Sequence, residues 1–74
     1  MITAEQLRMA RAALDWSARE LCDKTGLHRN TISNIENGGE LRASTEALLQ
    51  IEFQKNGIEF VNVTDKTVGV ILNR

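Results

Sequence analysis

What the chain lacks narrows its class first. None of its 74 residues is proline, one is cysteine (Cys22) and one is histidine (His28). A lone cysteine cannot form an internal disulfide, and these two residues fall short of the roughly four ligands of a structural zinc site. We therefore expect no metal and no cofactor.

Long apolar runs and a strong net charge are also missing. No apolar stretch approaches the ~20 residues that span a bilayer, and the start of the chain lacks the basic-then-apolar order of a signal peptide. We expect a cytoplasmic protein that does not contact membranes. Nine basic residues against ten acidic ones give a net charge of −1, without the basic excess that marks many nucleic-acid binders.

The residues that are present describe an ordinary small globular domain. Apolar residues make up 42% of the chain and charged residues 26%, a balance typical of folded soluble domains and not of disordered segments. A chain this short buries only about 60% of its unfolded surface. We expect one domain with a thin stability margin, for which burial against a partner is plausible.

Capping residues and apolar spacing indicate four helices. Thr3 with Gln6, and Ser17 with Glu20, form capping boxes, in which each side chain bonds to the backbone of the other residue. Glycine or Asn-Gly pairs mark the ends of the later helices. The predicted helices run from Ala4 to Asp15, Ser17 to about Thr25, Arg29 to Asn37, and Ser44 to Asn56. The second and fourth ranges begin with the predicted N-cap residue.

The spacing of the apolar residues changes after Gly57. Two stretches rich in β-branched residues, Ile58 to Val63 and Thr67 to Leu72, flank the turn-forming Thr64-Asp65-Lys66, a pattern that predicts a β-hairpin. We divide the chain into residues 1–57, the helical part, and residues 58–74, a hairpin of the same domain.

The segment from Ser17 to Gly38 carries the function. Two short helices joined at Gly26 by a tight turn set the second helix at a steep angle, so that its outer face can enter a DNA major groove. The run from Glu20 to Gly38 resembles the helix-turn-helix of lambda repressor and Cro-like (XRE-type) regulators, without a gap. The resemblance implies a mainly α fold, a four-helix lambda-repressor-like DNA-binding domain with a C-terminal β-hairpin, encoded by a bacterium or a phage.

The resemblance also implies which side chains read bases. In this family they lie at the start and on the exposed stripe of the recognition helix. Arginine can donate twice to guanine, and asparagine can pair with adenine through two hydrogen bonds. The implied base contacts are Arg29, Asn30, Thr31, Ser33 and Asn34. The alternative is that this polar face is only solvated.

Other residues are expected to hold the DNA backbone without specifying sequence. Free backbone N–H groups at helix starts attract phosphates, and arginines add charge. The implied phosphate contacts are Ser17, Ala18, Arg19, His28, Arg42, Ser44 and Thr45. His28 departs from the family pattern, which has Ser or Thr as N-cap there. It is either an imperfect cap facing solvent or a DNA contact.

Three further residues have structural interpretations. Glu36 matches the acidic residue that in this family pairs with an arginine of the first helix, here Arg11, and we expect that ion pair to be structural. Trp16 precedes an N-cap and is predicted to cover the core. Cys22 replaces a small residue between packed helices, so packing is favoured over redox sensing.

The tail predicts an assembly. Ile58 and Phe60 occupy one face of the hairpin, Val61 and Val63 occupy the other, and one small domain covers only one face. We expect a homodimer with recognition helices about 34 Å apart on a palindromic operator. The candidate interface comprises Phe60, Val61, Val63, Val68, Val70 and Leu72; the alternative is a hairpin packed wholly within the monomer.

These features favour a sequence-specific transcriptional regulator, expected to be a repressor, that binds double-stranded DNA. Two other classes stay open at this point: an antitoxin-type DNA-binding protein whose hairpin captures a toxin, and a protein-interaction module without DNA binding. An enzyme is disfavoured because the sequence contains no nucleophile-base set, phosphate loop or metal cluster.

Overall fold

Four helices precede a single two-stranded sheet. The protein is described by a computed structural model that covers all 74 residues. Its elements are α1 (Ala4–Ala13), α2 (Ala18–Thr25), α3 (Arg29–Glu36), α4 (Ala43–Lys55), β1 (Ile58–Thr64) and β2 (Thr67–Leu72). The predicted order of four helices and a hairpin is confirmed. None of the helices is long and apolar enough to span a membrane.

Both predicted capping boxes are present. The Thr3 hydroxyl accepts from the Gln6 N–H at 3.1 Å, and the Gln6 side chain accepts from the Thr3 N–H at 2.9 Å. Ser17 and Glu20 form the same reciprocal pair at the start of α2. α2 ends as predicted, at Gly26, whose φ of 77° is in the left-handed region that glycine adopts without strain.

Two helix ends come earlier than the sequence predicts. α1 stops at Ala13 because Leu14 leaves helical geometry and Asp15 takes a positive φ of 57°, a conformation that cannot continue a right-handed helix. α3 stops at Glu36, with Asn37 as its C-cap.

The predicted N-cap of the fourth helix is wrong. Arg42, not Ser44, has the extended backbone of an N-cap, and its carbonyl accepts from the Glu46 N–H. Ser44 therefore lies in the first turn of α4. No side chain caps this helix start.

The core lies where α1, α2, α3, α4 and the hairpin meet. Nine apolar residues form it: Ile2, Leu7, Ala10, Leu21, Ile32, Ile35, Leu49, Phe53 and Ile58. Trp16 stacks on Phe53 with ring centroids 5.4 Å apart, and Phe60 meets Phe53 edge-on at 5.7 Å. The covering role predicted for Trp16 is confirmed, and Cys22 packs half-buried against the same core.

The two faces of the hairpin are different. β1 and β2 are antiparallel, with Ile58 opposite Leu72 and Phe60 opposite Val70. These four residues pack against the core, whereas Val61, Val63 and Ile71 lie on the other face. Val63 sits at a register irregularity and is 72% exposed, and Ile71 is 45% exposed. Three of the predicted interface residues, Phe60, Val70 and Leu72, thus pack within their own chain. Val68 is half-buried opposite Asn62. The other two, Val61 and Val63, face outward.

A fully buried glutamine attaches the hairpin to α1. The Gln6 side-chain nitrogen donates to the carbonyls of Val61 and Gly69 and to the Asn62 side-chain oxygen, at 2.9 to 3.0 Å. Its oxygen is already used in the capping box, so every polar atom of this 0% exposed side chain has a partner. An isolated hairpin is only marginally stable in water, so this connection helps to fix β1 and β2 on the helices.

We expect Gln6→Leu to lower the free energy of unfolding by about 1 to 3 kcal/mol, because it leaves partly buried acceptors of both strands without a donor. Gln54→Leu is the matched control, since Gln54 is exposed on α4, and it should change stability by less than about 0.5 kcal/mol. Urea unfolding measures both variants. Equal small effects would contradict the assigned role of Gln6.

Candidate nucleic-acid interface

The C-terminal end of α3 is fixed to α1 by two arginines. The Arg11 guanidinium donates to both carboxylate oxygens of Glu36, at 2.5 and 2.8 Å, and to the Trp16 carbonyl at 3.0 Å. Arg8 donates to the main-chain carbonyl of Glu36, a group that a helix end leaves without an internal partner. We call these contacts the Glu36 clamp. The predicted Arg11–Glu36 ion pair is confirmed.

The Glu36 clamp is largely shielded from water. The Arg11 and Glu36 side chains are 22% and 12% exposed. The hydrogen bond to Glu36 raises the pKa of Arg11 above its ordinary value, against the opposing effect of burial. The guanidinium therefore stays charged, and the fork geometry of two parallel bonds fixes orientation as well as distance.

α3 has one buried and one uncovered face. Ile32 and Ile35 point into the core, three residues apart as helical spacing requires. Arg29, Asn30, Ser33 and Asn34 are exposed, and no hydrogen bond engages their side chains except at Ser33. Thr31 is half-buried at the edge. All five predicted base readers thus lie on the outer side or rim of one short, anchored helix.

His28 is the N-cap of α3. Its Nδ1 accepts from the Asn30 N–H at 3.1 Å, and its backbone is extended, as an N-cap requires. Accepting this bond needs an unprotonated Nδ1, which leaves Nε2 as the N–H of the neutral ring. The structure thus shows the capping role of His28, and because the imidazole is exposed, contact with DNA stays a prediction.

The turn after α3 folds tightly against it. The Asn37 side chain donates to the Ser33 carbonyl at 2.8 Å, and the Gly39 N–H donates to the Asn34 carbonyl at 2.7 Å. A Cβ on Gly39 would lie 2.7 Å from that same carbonyl oxygen, closer than side chains approach. Glycine at this position thus allows the chain to pass next to Asn34.

A cleft separates α3 from the start of α4. It has a volume of about 420 Å³, with Thr31 and Asn34 on one wall and Arg42 and Thr45 on the other. Two predicted base readers and two predicted phosphate contacts therefore share one opening. Since no side chain caps α4, the N–H groups of its first turn, Ser44 included, stay free toward a ligand.

The start of α2 supplies the remaining predicted contacts. Ser17 uses its own N–H and hydroxyl oxygen in the capping box with Glu20. Its hydroxyl proton is therefore the group that it can still donate to a phosphate. Ala18 and Arg19 are exposed in the first turn. α2 packs directly against α3, but no hydrogen bond joins Ser17, Ala18 or Arg19 to the readers on α3.

Two short helices at a glycine turn, with the second presenting an uncovered polar face, form a helix-turn-helix. A family model described as "Helix-turn-helix" matches residues 7–52, from α1 into α4. The chain belongs to this family. The resemblance to lambda repressor-like regulators is confirmed. Neither the curated proteins nor the solved structures contain a match to the chain.

Membership in the helix-turn-helix family makes the chain a DNA-binding regulator. The family is a regulatory one and typically non-enzymatic. The structure brings together no group of three or more His, Cys, Asp or Glu side chains that could hold a metal ion.

Sequence reasoning missed three residues around the helix-turn-helix. Arg8 lies one helical turn before Arg11, so its spacing could have indicated a second contact with the end of α3. Asn37 precedes Gly38-Gly39, a position where a polar side chain can bond the last turn of a helix. Glu40 follows the glycine pair and lines the cleft, which no local pattern indicates.

We expect Arg11→Met to lower the free energy of unfolding by about 2 to 4 kcal/mol, because it leaves the largely buried Glu36 carboxylate without its two-bond partner. Adding Glu36→Met should recover part of the loss. The control is Lys55→Met, which breaks the single-contact Lys55–Glu52 pair, whose lysine is 66% exposed, at a cost of about 0.5 kcal/mol or less. Unfolding measurements on the single and double variants test coupling, and strictly additive losses from Arg11 and Glu36 would contradict the ion pair.

Proposed function

We propose that this regulator is a sequence-specific repressor that reads an operator in the major groove with α3. The observation that carries the proposal is the uncovered polar face of α3, on a helix fixed at its far end by the Glu36 clamp. Side chains on a rigid element can select one base geometry over another. Since its ligand is DNA, the proposal places the protein in the cytoplasm of a bacterial or phage-infected cell.

In this proposal the outer stripe of α3 reads bases. Arg29 donates to guanine O6 and N7, and Asn30 and Asn34 pair with adenine. Ser33 and Thr31, which have shorter side chains, contact bases at the edges of this stripe. Each two-bond contact discriminates against a wrong base by about 1 to 3 kcal/mol, so two or three of them specify a half-site.

Backbone contacts flank the reading stripe. The start of α2 binds phosphates of one DNA strand through Ser17, Ala18 and Arg19. The start of α4 binds phosphates of the other strand through Arg42, Ser44 and Thr45. His28 donates from Nε2 to a neighbouring phosphate. Free N–H groups and arginines suit this role because phosphates offer only acceptors.

We further propose that two copies associate through the outward face of the hairpin. That face carries Val61, Val63 and Ile71, and its charged residue Glu59 is hydrogen-bonded to Asn73 at 2.9 Å. An apolar face whose charged residue is a carboxylate suits a second copy of this chain better than DNA, because DNA attracts cations and repels carboxylates. Two-fold pairing would space the α3 helices for consecutive major grooves, about 34 Å apart.

The same exposed face supports a second candidate. In an antitoxin, it would bind a toxin instead of a second copy, and DNA binding would serve autoregulation. Val63 at 72% and Ile71 at 45% exposure favour some apolar partner.

Selection of bound sites from a random duplex pool tests DNA reading. We expect wild type to enrich a palindrome, Arg29→Ala and Asn34→Ala to lose preference each at its own base, and all binding to weaken steeply with salt as counterions are released. Lys66→Ala, at the hairpin turn, removes a charge away from α3 and is the control. No enrichment and no salt dependence would favour a protein-interaction module.

We expect Val63→Asp to weaken self-association at least tenfold, because it places a charge in an apolar interface without a partner. Sedimentation at micromolar concentration measures the mass. Thr67→Asp, on the exposed end of β2, is the control for added charge. A wild-type monomer at these concentrations would contradict the homodimer and favour capture of another protein.

A further inference from the structure

The carboxylate of Glu40 is a negative charge in the cleft beside the reading stripe. Glu40 is exposed and lines the cleft together with Asn34 and Arg42. It makes no hydrogen bond, and the three ion pairs of the chain, Arg8–Glu5, Arg11–Glu36 and Lys55–Glu52, leave it out. Its oxygens therefore keep their full capacity to accept hydrogen bonds.

The position of Glu40 is set by the backbone. Gly38 turns the chain with a φ of 88°, and the next residue, Gly39, bonds to the Asn34 carbonyl. Glu40 therefore directly follows a residue whose N–H is hydrogen-bonded to the main chain of Asn34, a predicted base reader. On the other side, Arg42, the N-cap of α4, follows two residues later. The backbone of Glu40 is thus positioned between α3 and α4, and its side chain lines the cleft between them.

Duplex DNA offers few partners to a carboxylate. Phosphates are anionic acceptors and repel it. In the major groove the donors are the amino groups at N4 of cytosine and N6 of adenine. Glutamate pairs with cytosine N4, whereas Asn34 beside it is suited to adenine. Of these two donors, cytosine N4 is the one that glutamate characteristically pairs with, so a carboxylate at this place is best matched by a cytosine amino group.

We propose that Glu40 is a specificity-determining residue, whose carboxylate accepts a hydrogen bond from the amino group of a cytosine adjacent to the base pair read by Asn34. The inference rests on the proposed DNA-reading function and adds a base contact from outside α3. On duplexes that lack this cytosine, the same charge lies unpaired near phosphates and weakens binding. Glu40 therefore lowers non-specific affinity while it raises specific affinity.

Site selection with wild type, Glu40→Ala and Asp65→Ala tests the proposal. Asp65 is exposed at the hairpin turn, so its substitution makes the same change of net charge away from the cleft. We expect wild type to require cytosine at one position next to the base that Asn34→Ala affects. Glu40→Ala should lose that requirement alone, and Asp65→Ala should keep the wild-type pattern.

Titrations on two duplexes give the magnitude. Replacing the cytosine pair should weaken wild-type binding about 5- to 100-fold and binding by Glu40→Ala less than about twofold. Glu40→Ala should also bind unrelated DNA more tightly than wild type does.

Two results would overturn the proposal while leaving the proposed function in place. One is tighter binding by Glu40→Ala to every duplex with an unchanged base pattern, which would make Glu40 a repulsive charge only. The other is no effect of the substitution. If wild type itself enriches no sequence, the proposed function fails and the contact of Glu40 fails with it.

Discussion

The carboxylate of Glu36 accepts hydrogen bonds from two nitrogens of the Arg11 guanidinium, while the main-chain carbonyl of Glu36 accepts from Arg8. Two residues of α1 thus hold one residue at the end of α3. α3 has only eight residues, too few to be stable as an isolated helix in water, and Ile32 and Ile35 fix only its inner side. The clamp adds direction, because a bidentate pair tolerates little rotation. The exposed face of α3, which carries the proposed base readers Arg29, Asn30, Ser33 and Asn34, depends on this orientation.

α1 connects the two surfaces that the proposed function needs. Its Arg11 side holds α3, and Gln6 holds both strands of the hairpin through Val61 and Gly69. The reading helix and the outward hairpin face are therefore attached to the same helix. In a two-fold pair joined through the hairpins, this shared attachment to α1 would let the hairpin contact determine the distance between the two α3 helices. The near-zero net charge is compatible with DNA binding because the proposed contacts include three individually placed cations, Arg19, Arg29 and Arg42.

The sequence predicts features that depend on near neighbours. The capping boxes at Thr3 and Ser17, the end of α2 at Gly26 and the hairpin are each determined within a few residues, and the structure has all of them. Gln6 binds residues 55 to 63 positions away, so its second role has no local signal. Ser44 was a reasonable N-cap by residue type, but the chain enters the helix at Arg42. The cleft and the position of Glu40 follow from how α3 and α4 pack, which no stretch of sequence displays.

The central claim is that the uncovered face of α3 meets DNA. Amide chemical shifts of the labelled protein, titrated with a duplex recovered from site selection, test it most directly. The account predicts the largest changes from His28 to Asn34 and in the first turns of α2 and α4, with little change at the hairpin turn around Asp65. Unchanged amides in α3, or changes concentrated in β1 and β2, would contradict it.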